Sequence, residues 1–147
     1  MAVADPKLLV PALKRGVTVI AAHCGTRSAF SERDYVNEFM ELAREYEHCY
    51  GDTSAINLPP RWHAYDRVMN DPVVSKKLIH GSDWPIISIP PGGKVGWYKA
   101  LSLMFEPNWI RRDVMVKEAI GFDRDYWERA AKVLNVTSVA ATAVTPR

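Results

Sequence analysis

Short apolar runs alternate with amphipathic stretches along the 147 residues of this chain. Three such runs, at 17–22, 49–50 and 77–81, each lead into a polar or glycine-containing turn. The first run is β-branched and almost wholly apolar, which is typical of a strand buried on both faces of a parallel sheet. The pattern therefore predicts three parallel strands whose carboxyl ends carry polar side chains.

Between and after these runs, apolar residues recur at helical spacing. The repeat is clearest over 34–47, where an aspartate at the start suits a helix cap. The other segments that predict helices are 5–16, 63–69, 97–105, 108–121 and 123–134. A long loop rich in proline and glycine, 86–96, follows the third strand, and loops in this position commonly shape active sites.

The strands begin roughly 30 residues apart, and a (β/α)8 barrel likewise uses about 31 residues for each strand and helix. Residues 1–134 are therefore predicted to form one α/β domain. The remainder, 135–147, is rich in threonine, alanine and valine and is expected to be a disordered C-terminal tail.

Composition mainly excludes classes of partner. The net charge is +2 and the basic residues are interleaved with acidic ones, so we expect no nucleic-acid partner. No apolar run approaches the roughly 20 residues that cross a bilayer, and the first residues do not resemble a signal peptide. We therefore expect no membrane partner and a cytoplasmic location. Cys24 and Cys49 form no Cys-x-x-Cys pair and are predicted to be reduced thiols.

Candidate chemistry lies where the strands end. His23 closes the first run and Asp83 follows the third. A histidine moves protons near neutral pH, and a carboxylate can hold a divalent metal or its bound water. Both residues also have a structural interpretation, as a hydrogen-bonded histidine at a strand end and as an aspartate that caps a turn. Asp52, after the second run, is expected to brace the turn that follows.

The remaining histidines are predicted to be structural or exposed. His80 has the opposite strand parity to Asp83, so we expect it to pack toward the helices. His48 begins a strand and His63 lies in a predicted helix. Neither His-x-His nor His-x-x-x-His occurs, so the sequence shows no complete zinc site.

Three segments resemble the amidohydrolase-related family, which contains metal-dependent hydrolases and decarboxylases of the aminocarboxymuconate-semialdehyde decarboxylase type. The segments read GVTVIAAHCG at 16–25, YGDTSA at 50–55 and LIHGSDWP at 78–85. The run RAAKVL at 129–134 is similar to the Arg-x-Ala-x-x-Leu ending of the family. The resemblance implies a (β/α)8 TIM barrel, in which these strands would be the sixth, seventh and eighth.

The resemblance also implies roles for individual residues. His23 would assist catalysis near a metal, and Asp83 would contact the metal or its water and act as acid and base. Arg61, in the loop after the second strand, would bind an acidic substrate. The implied cofactor is a divalent metal ion, zinc, and the implied substrate is a small carboxylic or cyclic molecule that is hydrolysed or decarboxylated.

The metal-binding histidines on the first and fifth strands of the family have no counterpart here, and a closed barrel needs eight strands. We therefore expect the C-terminal portion of an incomplete barrel, about strands 6–8 with their flanking helices. Such a segment would be active only after self-association or complementation by an N-terminal half. The alternative is a catalytically inactive fold remnant, or an interaction module that pairs with another chain.

Overall fold

A three-stranded parallel sheet lies at the centre of the computed structural model, which describes residues 5–136. The strands are β1 (Val19–Ala21), β2 (Cys49–Asp52) and β3 (Leu78–Ile79). They are hydrogen-bonded in the order β1-β2-β3, and both pairings are parallel. The prediction of three parallel strands at these positions is confirmed. Most of the tail predicted to be disordered, 135–147, lies outside the described residues.

Seven α-helices accompany the sheet within the described range. They are α1 (Val10–Leu13), α2 (Val36–Glu45), α3 (Ala64–Met69), α4 (Gly92–Val95), α5 (Trp97–Met104), α6 (Trp109–Ile120) and α7 (Arg124–Val133). Their starts follow local hydrogen bonding, because Asn108 and Asp123 each accept a backbone N–H in the first turn of α6 and α7. None of the helices in residues 5–136 combines the length and the apolar character that spanning a bilayer requires.

The expectation of a partial TIM barrel over 1–134 is wrong, because the sheet is open. Within the described residues β1 and β3 pair only with β2, which leaves two sheet edges. The strands are only two to four residues long, too short for the tilt and stagger by which barrel strands close. A strand every 30 residues follows from any parallel sheet built of strand–helix units, so the spacing did not determine closure.

The core lies between the sheet and helices α2, α3 and α7. Phe39 and Ala43, on the apolar stripe of α2, are completely buried there. Gly51 in β2 allows this close approach, since a Cβ at its position would clash with the ring of Phe39. The largest buried apolar and aromatic side chains are those of Tyr65, Tyr126, Phe39, Leu13, Ile56 and Leu78. The three short strands are thus held in place by packing against these helices.

Candidate active site

Side chains that follow all three strands meet at the carboxyl edge of the sheet, where open α/β sheets commonly bind ligands. His23 Nε2 lies 3.8 Å from Asp83 Oδ2. On the other side of the ring, His23 Nδ1 lies 2.7 Å from Ser54 Oγ. The structure therefore brings together the two residues that the sequence singled out, and it adds Ser54 to them.

Backbone conformation, more than strand alternation, directs these side chains. His23, Cys24, Ala55 and Asp83 have positive φ angles of 55°, 53°, 47° and 60°. A non-glycine residue in such a conformation costs of order 1–3 kcal/mol and persists only where its surroundings enforce it. The chain leaves β1 through a tight helical turn, Ala22–Gly25, so the alternation of β1 no longer applies at His23. Four such residues at one sheet edge are typical of a functional site.

The Asp52 carboxylate accepts the hydrogen bonds that hold the turns at this edge of the sheet together. Its Oδ1 accepts the backbone N–H of His23 at 3.0 Å and that of Ser54 at 2.9 Å. It also accepts a hydrogen bond from the hydroxyl of Ser54. The carboxylate thus ties the end of β1 to the turn after β2, and the prediction that Asp52 braces this turn is confirmed.

The hydrogen bonds of His23 define which ring nitrogen carries the proton. Nδ1 lies 3.0 Å from the carbonyl oxygen of Ser54, which can only accept a hydrogen bond. The Ser54 hydroxyl donates to Asp52, so it too is available to Nδ1 as an acceptor. Nδ1 is therefore the hydrogen-bond donor on this side of the ring, and Nε2 is the nitrogen that lies toward Asp83.

Sequence reasoning missed Ser54, since no nucleophile motif surrounds it. The available signal was the pattern Asp52-Thr53-Ser54 directly after a strand. An aspartate commonly accepts the backbone N–H two residues further on, and here that residue is Ser54. The same turn then brings the hydroxyl back to the carboxylate.

Arg61 lies beneath the site and is only 3% exposed. Its guanidinium donates to the carbonyl oxygens of Arg27 and Ser54 and to the hydroxyl of Ser28. Burial lowers the pKa of Arg61, while the carboxylates of Asp83 and Asp52 act in the opposite direction. Arg61 thus shares the Ser54 carbonyl with His23, and its predicted contact with a substrate stays a prediction.

The other histidines lie where the sequence placed them. The His80 ring faces α7, with its centroid 4.9 Å from that of Trp127. Burial lowers the pKa of His80 to about 4, and the nearby Lys117 charge adds to this effect. His48 Nε2 lies 2.8 Å from the carbonyl oxygen of Leu13, and His63 pairs with Asp34. These contacts confirm the prediction that the three residues are structural or exposed.

A buried ion pair supports the loop that carries Asp83. The ammonium of Lys117 in α6 is completely buried and donates to Asp113 Oδ2 at 2.7 Å. Burial lowers the pKa of Lys117 and raises that of Asp113, and each charge opposes the shift of the other. Asp113 Oδ1 also accepts from the Asn57 side chain at 2.7 Å. The sequence did not indicate this network, because an Asp–Lys pair four residues apart normally lies on a helix surface.

A cavity of about 680 Å³ opens beside His23. This volume is in the range that holds small molecules. Its lining is mixed. Polar members include Thr26, Arg27 and Ser28, and apolar members include Pro6, Leu8 and Leu9.

The predicted divalent metal was tested against the donor atoms of the site. A catalytic zinc site uses three protein ligands, and a structural site uses four. His23 and Asp83 offer two, and residues 5–136 contain no group of three or more His, Cys, Asp or Glu placed to hold a metal ion. The described residues therefore do not fit a metal held by this chain alone.

Comparisons with known proteins leave the family open. No protein-family model, no curated protein and no solved structure matches this chain. Membership of the amidohydrolase-related family therefore stays a prediction that rests on the three quoted segments. A function has to come from the geometry of the strand ends.

Proposed function

We propose that this chain carries an acid–base site in which His23 and Asp83 act together on a small carboxylic or cyclic substrate. The observation that supports it is the 3.8 Å separation between His23 Nε2 and Asp83 Oδ2 at the carboxyl edge of the sheet. A ring nitrogen and a carboxylate oxygen at this distance can both contact the same polar group of a ligand. The reaction class, hydrolysis or decarboxylation, comes from the family resemblance.

His23 is the proton-transfer group of this proposal. Because its Nδ1–H is held by the Ser54 carbonyl oxygen, Nε2 is free to take a proton. In hydrolysis, Nε2 removes a proton from the attacking water and returns it to the leaving group. In decarboxylation, Nε2 first takes a proton from solvent and then delivers it to the carbon from which CO2 departs, where the electron pair of the broken C–C bond accepts it. In both cases the Asp83 carboxylate stabilises the imidazolium.

The cavity beside His23 is lined by two arginines, Arg27 and Arg33, and by two acidic residues, Asp5 and Glu32. Arg27 lies 4.0 Å from Asp34, and about a quarter of its side chain is exposed. A guanidinium in this position favours a carboxylate, which it can bind through two parallel hydrogen bonds. Arg27 is therefore better placed than the buried Arg61 to make the first contact with the substrate.

The predicted zinc ion would need ligands that the described residues of this chain do not provide. The chain would then act as the C-terminal segment of an amidohydrolase-related enzyme, in which a complementing chain supplies the metal ligands other than Asp83. The roles proposed above for His23 and Asp83 do not depend on that ion.

A second candidate is a non-catalytic interaction module. It is favoured by the two sheet edges, which lie on β1 and β3. Unpaired strand edges can bind an extended segment of another chain. This candidate requires no chemistry from His23 or Asp83, so the two functions make opposite predictions for variants of these residues.

The test is a turnover assay on the purified chain with a panel of small carboxylic acids, lactones and cyclic amides. We expect D83N and H23Q to lower kcat by at least about a hundredfold, as loss of an acid–base group does. D66N is the matched control, because Asp66 is an exposed carboxylate that pairs with Lys94. If D83N keeps the wild-type rate on a substrate that the wild type turns over, the role assigned to Asp83 is wrong.

A further inference from the structure

Helix α5 (Trp97–Met104) is apolar on both of its faces. Ala100 and Leu103 are buried on the inner face. The outer face continues one residue past the helix, and its most exposed apolar residues are Trp97, Tyr98, Leu101 and Phe105. A helix that is apolar all round is normally covered on all sides. The outer face of α5 is therefore an apolar surface that no other part of the described chain buries.

The exposed apolar area extends beyond α5. Trp84, Trp109 and Ile110 line a shallow hollow together with Pro107, two residues after Phe105. Trp84 and Trp109 are themselves 65% and 40% exposed. We call these exposed residues together the aromatic surface, and it comprises Trp84, Trp97, Tyr98, Leu101, Phe105, Trp109 and Ile110.

The size of the aromatic surface suits a stable protein interface. Tyr98 is 94% exposed, and Trp97 and Phe105 are each 78% exposed. Taking about 150–250 Å² for a whole aromatic side chain, the five aromatic residues expose roughly 700 Å². A standard interface buries about 800 Å² on each partner. The largest apolar patch of a typical monomer is about 300–600 Å², and the exposure summed over these five residues is above that range.

The charge pattern points to a second copy as the occupant. Lys99 is the one charged residue within α5, and beyond it Glu106 and Arg111 lie 3.4 Å apart and offset each other. A second copy would therefore meet a surface whose one uncompensated charge is the flexible side chain of Lys99. Homodimer interfaces are also the most apolar class of interface, whereas transient partners use surfaces of ordinary polarity.

We propose that the aromatic surface is the interface of a homodimer, in which the α5 helices of two copies pack around a twofold axis. Such an interface is isologous, so each aromatic residue contributes twice. Trp84 directly follows Asp83, and the dimer therefore immobilises the loop that carries the Asp83 carboxylate. This inference goes beyond the proposed function, because the dimer forms whether or not the site is catalytic.

The test is the mass of the purified chain in solution, measured by light scattering after size exclusion. We expect twice the 16.6 kDa of one chain, with dissociation on dilution over about a hundredfold range of concentration. F105K should raise the dimer Kd by at least about tenfold, as loss of a central aromatic contact does. F30K is the matched control, because Phe30 is 68% exposed but lies outside the aromatic surface.

Circular dichroism shows whether both variants are folded. If F105K does not fold, Y98K takes its place, because a side chain that is 94% exposed contributes little to the core. A wild-type chain that is monomeric at every concentration overturns the proposal. So does a dimer that survives F105K or Y98K, a mass that grows without limit, or a surface occupied only by a different protein.

Discussion

The buried ammonium of Lys117 donates a 2.7 Å hydrogen bond to the carbonyl oxygen of Gly81, two residues before Asp83. The same ammonium pairs with Asp113, so α6 is joined to the loop at the end of β3 through a single side chain. The position of the Asp83 carboxylate therefore depends on a helix that contributes no group to the chemistry. Lys117 is a positioning residue for the candidate site.

Removing this cation should strongly destabilise the fold. We expect K117M to lower the free energy of unfolding by about 3–5 kcal/mol, because Asp113 stays buried without its partner. Urea unfolding measures the loss. K132M is the control, since Lys132 forms only exposed pairs with Asp125 and Glu128 and should change stability by at most about 1 kcal/mol. Equal unfolding midpoints for K117M and K132M would contradict the role assigned to the buried pair.

Gly81 also lies close to Ser54, a residue of the candidate site. A Cβ at this position would lie 2.9 Å from the Cβ of Ser54, whose hydroxyl and carbonyl hold the His23 ring. We expect G81A to cost about 1–3 kcal/mol of stability through overpacking and to lower turnover by moving Ser54. Denaturant unfolding and kcat are the two measurements.

G93A is the matched control for this substitution. Gly93 lies in α4, and a Cβ there would meet no atom within 4 Å. Alanine is the better helix former by about 1 kcal/mol, so G93A should be neutral or slightly stabilising. A G81A variant as stable and as active as G93A would show that Ser54 tolerates displacement.

Acid should weaken the fold through His80. Its pKa is about 4 in the folded chain, below the ordinary value of 6.5, because burial disfavours the charged ring. The unfolded chain therefore binds the proton first as the pH falls, and stability declines between about pH 6.5 and pH 4. The loss is about 1–2 kcal/mol after allowance for the partial exposure of the ring.

The measurement is denaturant unfolding at a series of pH values. H80N removes this titration and should flatten that part of the profile. H63N is the control, because the His63 ring is about one third exposed and pairs with Asp34, away from the contact of His80 with α7. A profile for H80N that keeps the full decline would assign the acid sensitivity to another group.

Two arginines near the site should respond differently to substitution. R61Q should lose about 1–3 kcal/mol of stability, because the acceptors on Ser54, Ser28 and Arg27 lose their donor. R27Q should instead raise KM with little change in kcat, since Arg27 faces the cavity. Unfolding curves and steady-state kinetics separate the two effects. A stable R61Q variant with a raised KM would place Arg61, and not Arg27, against the substrate.

The strands and the meeting of His23 with Asp83 could be predicted from sequence for a simple reason. The carboxyl ends of parallel strands share one edge, so residues at those ends converge wherever the sheet is parallel. The side of the sheet on which His80 lies was also predicted correctly, because side chains alternate between the two faces with a period of two residues.

Three features could not be predicted from the order of apolar and polar residues. They are the open form of the sheet, the contact of Ser54 with His23 and the burial of Lys117. Closure of a sheet is set by tilt and stagger across many strands, and a strand spacing is the same in open and closed sheets. The contact of Ser54 with the His23 ring depends on the left-handed backbone conformation of His23 and Ala55. Lys117 donates to the carbonyl oxygen of Gly81, 36 residues earlier in the chain, and a sequence pattern does not show such a long-range contact.

The left-handed backbone at His23 and Asp83 sets the stability of the chain against the composition of its candidate site. Glycine would relax both positions, yet it would remove the imidazole and the carboxylate. A glycine at either position should therefore raise the melting temperature while it removes one side chain of the site.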